Sequence, residues 1–208
     1  MTEPNQPAGT VNGITVPGSS GGTATAPNTV PSQISGIVMT LNENATDYNF
    51  GEAPGASIAG KVYVDENLNG AYDDGEAGIP NVIVVLNGND DLGQAVNAPM
   101  SALFNALAMR LVVNGTTATD ANGDYRFDTL RPGTYTVTEP DQPPLTTDGV
   151  TTPGTVNGAP DGTATPRGTL PSAISSITLT PGAAAVGANF GEIADSPRLE
   201  VSKSAAPA

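Results

Sequence analysis

The chain has 208 residues, 7 Lys plus Arg against 21 Asp plus Glu, and a formal charge of −14. That balance excludes nucleic-acid recognition, which needs a basic footprint, and gives anionic lipid nothing to attract; it suits solubility and divalent cations. With no Cys, His or Trp, the chain holds no disulfide, no Cys/His zinc site and no Ser-His-Asp, Cys-His or other histidine-based catalysis.

Gly (25) and Pro (19) amid abundant Thr, Val and Asn predict many short strands joined by turns. No apolar run reaches the roughly 18 residues of a membrane span. Residues 1–20 lack a charged n-region and an apolar h-region, so the signal of an exported protein is expected outside this sequence.

In chain order, residues 1–52 read as the back end of a repeat. Gly-Gly-Thr-Ala-Thr (21–25) recurs as Asp-Gly-Thr-Ala-Thr (161–165). Pro-Ser-Gln-Ile-Ser (31–35) recurs as Pro-Ser-Ala-Ile-Ser (171–175), and Asn-Phe-Gly-Glu (49–52) as 189–192, all 140 positions apart. Glu-Pro-Asn-Gln-Pro (3–7) and Glu-Pro-Asp-Gln-Pro (139–143) lie 136 apart, so a four-residue indel separates the copies. Long-period self-similarity means an array of like units. Within this half repeat, 34–41 and 47–50 read as strands.

The complete repeat, 53–194, opens on an alternating strand at 57–64. It feeds Asp65-Glu66-Asn67-Leu68-Asn69-Gly70-Ala71-Tyr72-Asp73-Asp74-Gly75-Glu76. An EF-hand-type calcium loop needs Asp at position 1, Asp or Asn at 3 and 5, Gly at 6 and Glu at 12, and Asp65, Asn67, Asn69, Gly70 and Glu76 satisfy all five. Ala71 would contribute its carbonyl and Asp73 a water-mediated ligand, a set of hard oxygens suited to Ca2+. The bland alternative is an acidic, Asn-rich surface turn. The flanks are strands (62–64 and 82–86), not helices, so stiffening is expected rather than sensor-type opening.

Beyond 82–86, a short helix is expected within an insertion at about 90–116. Leu103, Phe104, Leu107 and Leu111 share its apolar face, which either covers one end of a sandwich or docks a partner. Asp120, Asn122 and Asp124, with Asp74, offer a second cation site; the alternative is an Asx-bonded hairpin turn. Residues 125–130 alternate with Tyr125 and Phe127 inward, and 134–139 with Tyr135 and Val137 on one face. Residues 140–170 read as a long loop or extended edge, and 174–179 with 186–190 as a final pair of strands. The sum is an all-β antiparallel sandwich.

Gly-Lys-Val-Tyr-Val-Asp (60–65), Asn-Leu-Asn-Gly (67–70), Asp-Asp-Gly-Glu (73–76), Thr-Asp-Ala-Asn-Gly-Asp-Tyr-Arg-Phe (119–127) and Leu-Arg-Pro-Gly-Thr-Tyr-Thr-Val-Thr-Glu (130–139) resemble a B-type repeat of the serine–aspartate repeat surface adhesins, within the Cna-B-like group. The resemblance implies an immunoglobulin/prealbumin-like sandwich, rigidified by calcium, that spaces a ligand-binding head from a bacterial cell wall, at the cell surface or secreted. Residues 195–208 resemble a linker and first strand of a following surface-repeat domain. Cna-B-like domains also carry Lys–Asn or Lys–Asp isopeptides promoted by a buried acid. Glu139 stands where that acid would, but the alternation at 61–64 points Lys61 outward as a solvated edge charge.

Three non-catalytic roles follow. The leading one is a calcium-stiffened stalk or spacer, partnered by adjacent repeats. The second is an adhesin module for a host or matrix protein or glycan. The third is a subunit that self-associates by strand complementation through residues 31–52. No nucleophile–base set, phosphate loop or catalytic metal triad is present, so no enzymatic activity is expected.

Overall fold

The computed structural model describes residues 1–96 and 115–195. Among them every regular element is a strand. They are β1 (Thr2–Glu3), β2 (Thr10–Val16), β3 (Thr23–Ala24), β4 (Ser32–Ser35), β5 (Asn49–Pro54), β6 (Ala56–Val64), β7 (Ile83–Asp90), β8 (Ala95–Val96) and β9 (Thr116–Ala118). After these come β10 (Asp124–Leu130), β11 (Gly133–Glu139), β12 (Thr146–Thr152), β13 (Thr155–Val156), β14 (Ala159–Pro160), β15 (Thr163–Ala164), β16 (Ser172–Leu179), β17 (Ala184–Val186) and β18 (Asn189–Ala194). No helix among the described residues is long and apolar enough to cross a membrane. The helix expected at 99–111, with Leu103, Phe104, Leu107 and Leu111, lies outside the described residues.

Two sheets make the module after residue 55. One runs β12-β18-β6-β17-β13-β14, with β10 on the other edge of β6; the second runs β15-β16-β11-β7-β8, with β9 on β7. Their facing side chains form one core: Ile58, Val62, Phe127 and Phe190 from the first sheet meet Val84, Leu86, Tyr135, Val137, Ile174 and Ile177 from the second. Alternation explains the selection, since successive side chains on a strand point to opposite faces; β10 buries Tyr125 and Phe127 and exposes Arg126 and Asp128. Most pairings are antiparallel, but β17 and β18 run parallel to β6. Where those two meet, the Ala188 carbonyl comes so close that a Cβ on Gly60 would lie 1.7 Å from it, and the Tyr125 hydroxyl donates to the same carbonyl.

The half repeat reproduces part of this plan. β2 pairs with β5 as β12 pairs with β18, and each pair has its register shift at the equivalent place, between Asn12 and Thr15 and between Asp148 and Thr151. β4 takes β1 and β3 as β16 takes β11 and β15. The strand expected over 34–41 is shorter, ending at Ser35. β1 supplies partners only for Ser32 and Gln33, whereas β11 covers β16 from Ser172 to Leu179. Val38, Met39 and Leu41 are accordingly exposed. The stretch expected as a long loop or extended edge, 140–170, contains β12, which lies at the edge of its sheet, and three two-residue strands.

Phe190 is fully buried, while its repeat equivalent Phe50 is half-buried. Removing a buried Phe costs about 3–5 kcal/mol. Phe190→Ala is therefore expected to destabilise the module by that amount in urea titrations, and Phe50→Ala by less than half as much.

Candidate functional site

The loop of residues 65–76 is wound on its own side chains. Asn67 Oδ1 accepts from Asn69 N (3.0 Å) and Asn69 Oδ1 from Ala71 N (2.7 Å), two successive Asx turns. Leu68 and Gly70 take positive φ between them. Asp65 is 2% exposed; its Oδ1 accepts from Asn69 N (3.1 Å) and its Oδ2 from Gly70 N (2.8 Å). Glu76 closes the loop, accepting from Glu66 N (3.0 Å) and Asp73 N (2.9 Å). The Nδ2 groups of Asn67 and Asn69 both donate to Asp73 Oδ2, at 2.8 and 2.7 Å. These two bonds hold the Asp73 carboxyl below the usual carboxylate range.

The loop is fixed to three strands. Tyr72 packs edge-on against the buried Tyr63 of β6, with centroids 5.4 Å apart. Asp65 N donates to the Glu192 carbonyl of β18 (2.8 Å). The Gly70 carbonyl accepts from Thr152 Oγ1 of β12 (2.8 Å), and Gly70 lies against Val150. Burial and the charges of Asp65, Glu76 and Asp73 push the Tyr63 phenol up, and its hydroxyl meets no partner among the described residues.

Of the sequence-predicted ligands, Asp65, Asn67, Asn69, Asp73 and Glu76 are thus knit into one loop, with the Ala71 residue exposed beside them. No three carboxylates among the described residues draw together closely enough to hold a metal alone. The donor set instead mixes carboxylates with amides, and an amide bears an oxygen and an NH2 on one carbon, so a flip exchanges donor for acceptor. Asn67, Asn69 and Asp73 already meet at one point. Their oxygens, with Asp65 and Glu76, fit a hard cation in chemical kind.

Asp74 is exposed. Asp120 caps its own turn, accepting from Asn122 N (2.8 Å) and Asp124 N (3.0 Å). Asp124 pairs with Lys61 Nζ at 2.8 Å, and the same ammonium donates to the Asn122 carbonyl (2.6 Å) and lies 4.7 Å from the Tyr72 ring centre. A cationic side chain therefore already serves the 120–124 turn. Lys61 is not the solvated edge charge its alternation implied: the Tyr72 loop and this turn cover its side chain to 14% exposure. Its backbone N–H, not its ammonium, meets Asn189 Oδ1 (2.9 Å).

A second polar site was not legible as a unit. Glu139 (β11) and Glu192 (β18) are 1% and 0% exposed. Neither carboxyl oxygen of Glu139 meets a donor among the described residues, whereas Glu192 Oε2 accepts from Gln142 Nε2, which also donates to Thr146 Oγ1 (2.7 Å). Desolvation first, and then the Glu192 charge, push Glu139 well above the carboxylate range; burial also raises Glu192. As two anions they would face each other without a proton; protonated, Glu139 supplies the missing donor. The half repeat carries the same grouping: Gln6 donates to Thr10 and Glu52, and partial burial with the Glu52 charge raises Glu3. The signal in the sequence was this recurrence of Glu, Gln and Glu in both copies.

No protein-family model matches the chain. Serine-aspartate repeat-containing protein E of Staphylococcus aureus (strain MSSA476) is 31% identical over 102 residues, 49% of this chain and 7% of that protein. The bone sialoprotein-binding protein of Staphylococcus aureus matches to the same extent. Colossin-B of Dictyostelium discoideum is 36% identical over 76 residues, 36% of this chain and 2% of its own length. The chain thus spans under a tenth of the length of the curated relatives it matches. The similarities to the staphylococcal proteins support a repeat of the surface-adhesin type.

A carboxyl raised in the fold contributes stability that is complete below its unfolded pKa and is lost as pH rises through its folded value. With calcium chelated, the melting temperature is therefore expected to fall as pH rises from about 5 towards 9, because Glu139 and Glu192 must ionise while buried. Glu139→Gln is expected to flatten that decline and raise the melting temperature at pH 8; a thermal-shift series over pH checks both.

Proposed function

We propose that this chain is a calcium-stiffened spacer unit of an exported bacterial surface protein, built as a Cna-B-like sandwich and flanked by adjacent repeats of the same protein. The observation that carries the reading is the 65–76 loop. It presents every ligand type of a calcium loop at the right position and is tied to β6, β12 and β18 at once. Asp65, Asn67, Asn69, Asp73 and Glu76 would hold the ion through side chains and Ala71 through its carbonyl. The ion's role there is electrostatic: it neutralises carboxylates whose repulsion otherwise loosens the loop. Similarity to serine-aspartate repeat-containing proteins supports the surface-protein part of the reading and an extracellular or cell-surface location. Binding of a host or matrix ligand, as in the name of the bone sialoprotein-binding protein, belongs to this proposal only as a role of neighbouring parts of such a protein.

Extracellular modules bind calcium with Kd values of about 10⁻⁴–10⁻³ M. Binding only the folded state at tenfold excess adds about 1.4 kcal/mol, or roughly 3–6 °C in melting temperature. Calorimetry in millimolar calcium and in EGTA is expected to show that difference, and Glu76→Gln to remove it. A melting curve indifferent to EGTA would overturn the calcium reading.

One observation favours a second reading, self-association by strand complementation through residues 31–52. Among the described residues β5 pairs only with β2, whereas its equivalent β18 pairs with both β12 and β6. An unpaired edge is a template for another strand. Light scattering behind size exclusion is expected to show concentration-dependent dimers if copies use it; a monomer at all concentrations discards this reading.

A further inference from the structure

We infer that Arg131 is the pin of a repeat-to-repeat joint, and that the pole of the module around the Asp148 carbonyl is built to receive the equivalent arginine of a following module. The inference rests on the spacer reading for the identity of its partner, but not on calcium.

Arg131 sits at the corner between β10 and β11 and is 9% exposed. Its Nε and Nη2 grip Asp91 Oδ1 and Oδ2 at 2.7 and 3.1 Å, and Asp90 Oδ2 lies 3.8 Å from Nε. Its own carbonyl accepts from the Tyr135 hydroxyl (2.8 Å). The guanidinium is therefore fixed within the module, a planar fork with one arm left over. That arm, Nη1, donates to the carbonyl of Asn12, in β2 of the half repeat. The bond is buried, and it spans 119 positions of sequence.

Around it the two units are closely fitted. Gly55 is the single residue between β5 and β6, and its N–H donates to the Gly9 carbonyl (2.9 Å). A Cβ at Gly55 would stand 2.9 Å from the Thr129 Cα. Gly182 N donates to the Pro54 carbonyl (2.9 Å). No ion pair crosses this boundary among the described residues; a cation crosses it to a neutral carbonyl.

The acceptor is shaped by the repeat itself. Asn12 is held by Ser32, which accepts from its Nδ2, and by Asn28, whose N–H donates to its Oδ1 (2.9 Å). At the other end of the module Asp148 takes its place. There Ser172 Oγ donates to Oδ1 (2.7 Å), and the N–H groups of Gly168 and Thr169 donate to Oδ2. Asp195 N donates to the Leu145 carbonyl (2.9 Å), as Gly55 N does to Gly9. The acceptor pole is thus reproduced strand for strand. Asp148 places a carboxyl where Asn12 has an amide, which suits an incoming guanidinium. The partner this surface fits is a second module of the same kind, presenting a Leu-Arg-Pro-Gly corner such as residues 130–133.

The chain has no cysteine, so two introduced thiols report cleanly. Leu41→Cys in the half repeat and Thr180→Cys in the module, both exposed, are spin-labelled on the full chain, and their distance distribution is measured by double electron–electron resonance. A single narrow distance is expected, and Arg131→Gln is expected to abolish it. Asp91→Asn, at a carboxylate 41% exposed, keeps the arginine while loosening its grip, and should broaden the peak if Arg131→Gln fails to fold. The second pole is read on residues 1–194 followed directly by another copy of residues 55–194, so that the copies join as Pro54 joins Gly55, with labels at Thr180→Cys in each copy. A single narrow peak is again expected, lost when the appended copy's arginine is replaced by Gln. A broad distribution in either unsubstituted protein, or a narrow one that survives loss of its arginine, overturns the inference. Measuring in calcium and in EGTA separates it from the calcium reading, because the joint should persist where only the loop responds.

Discussion

The parallel pairing of β18 with β6 is the constraint on which the module depends. Phe190, Gly191 and Glu192 sit beside Val62, Tyr63 and Val64, while β10 closes the opposite edge of β6. Strand β6 is thereby saturated along its length and brings the last strand of the module back to the first. The half repeat shows the same strands without that pairing. β5 keeps the bulged ladder with β2, yet Phe50 is only half covered and Ile14, Val16, Val38 and Met39 stand exposed. Local hydrogen bonding builds the hairpin-like ladders; burial of the aromatic face requires the long-range strand.

The same strand couples the two polar sites. Glu192 offers its carbonyl to Asp65 N at the head of the 65–76 loop and its side chain to the pair with Glu139. One site is solvent-edged and satisfies its carboxylates with backbone and amide N–H donors; the other is sealed, and burial there pushes both carboxyls up. Two solutions to the same electrostatic problem lie on opposite sides of one peptide in a chain of charge −14.

What could be read in advance followed the range of the signal. The 65–76 loop stood out because its acidic and amide side chains recur within twelve positions, and β10 was legible because Tyr125 and Phe127 alternate with charged neighbours. The helix expected from Leu103, Phe104, Leu107 and Leu111 concerns residues outside those described. The 140–170 stretch, read as a long loop or an extended edge, does place β12 at the edge of its sheet, while two-residue strands such as β13 and β14 carry no period. Lys61 was misjudged because alternation tells which face a side chain takes, not what covers that face; Tyr72 and the 120–124 turn do. The bond from Arg131 to Asn12 had no local signal at all. The repeat was nevertheless visible, and it specifies backbone more strictly than residue type: positive φ falls at Asn28 and Gly168, Gly36 and Ser176, and Asp47 and Gly187.

Stiffness between units follows from chain continuity before any ion is considered. β5 ends at Pro54 and β6 begins at Ala56, so the last strand of one unit passes into the first of the next through one residue. Flexible linkers gain their freedom from length and from backbone open to solvent. Here the linking Gly55 donates its N–H to Gly9 and has no room for a Cβ beside Thr129. Proline on one side fixes φ and a strand begins on the other, so a hinge at this point would have to break sheet pairing. An array joined in this way would transmit orientation from unit to unit, and the 65–76 loop packs through Tyr72 on the very strand that the junction enters.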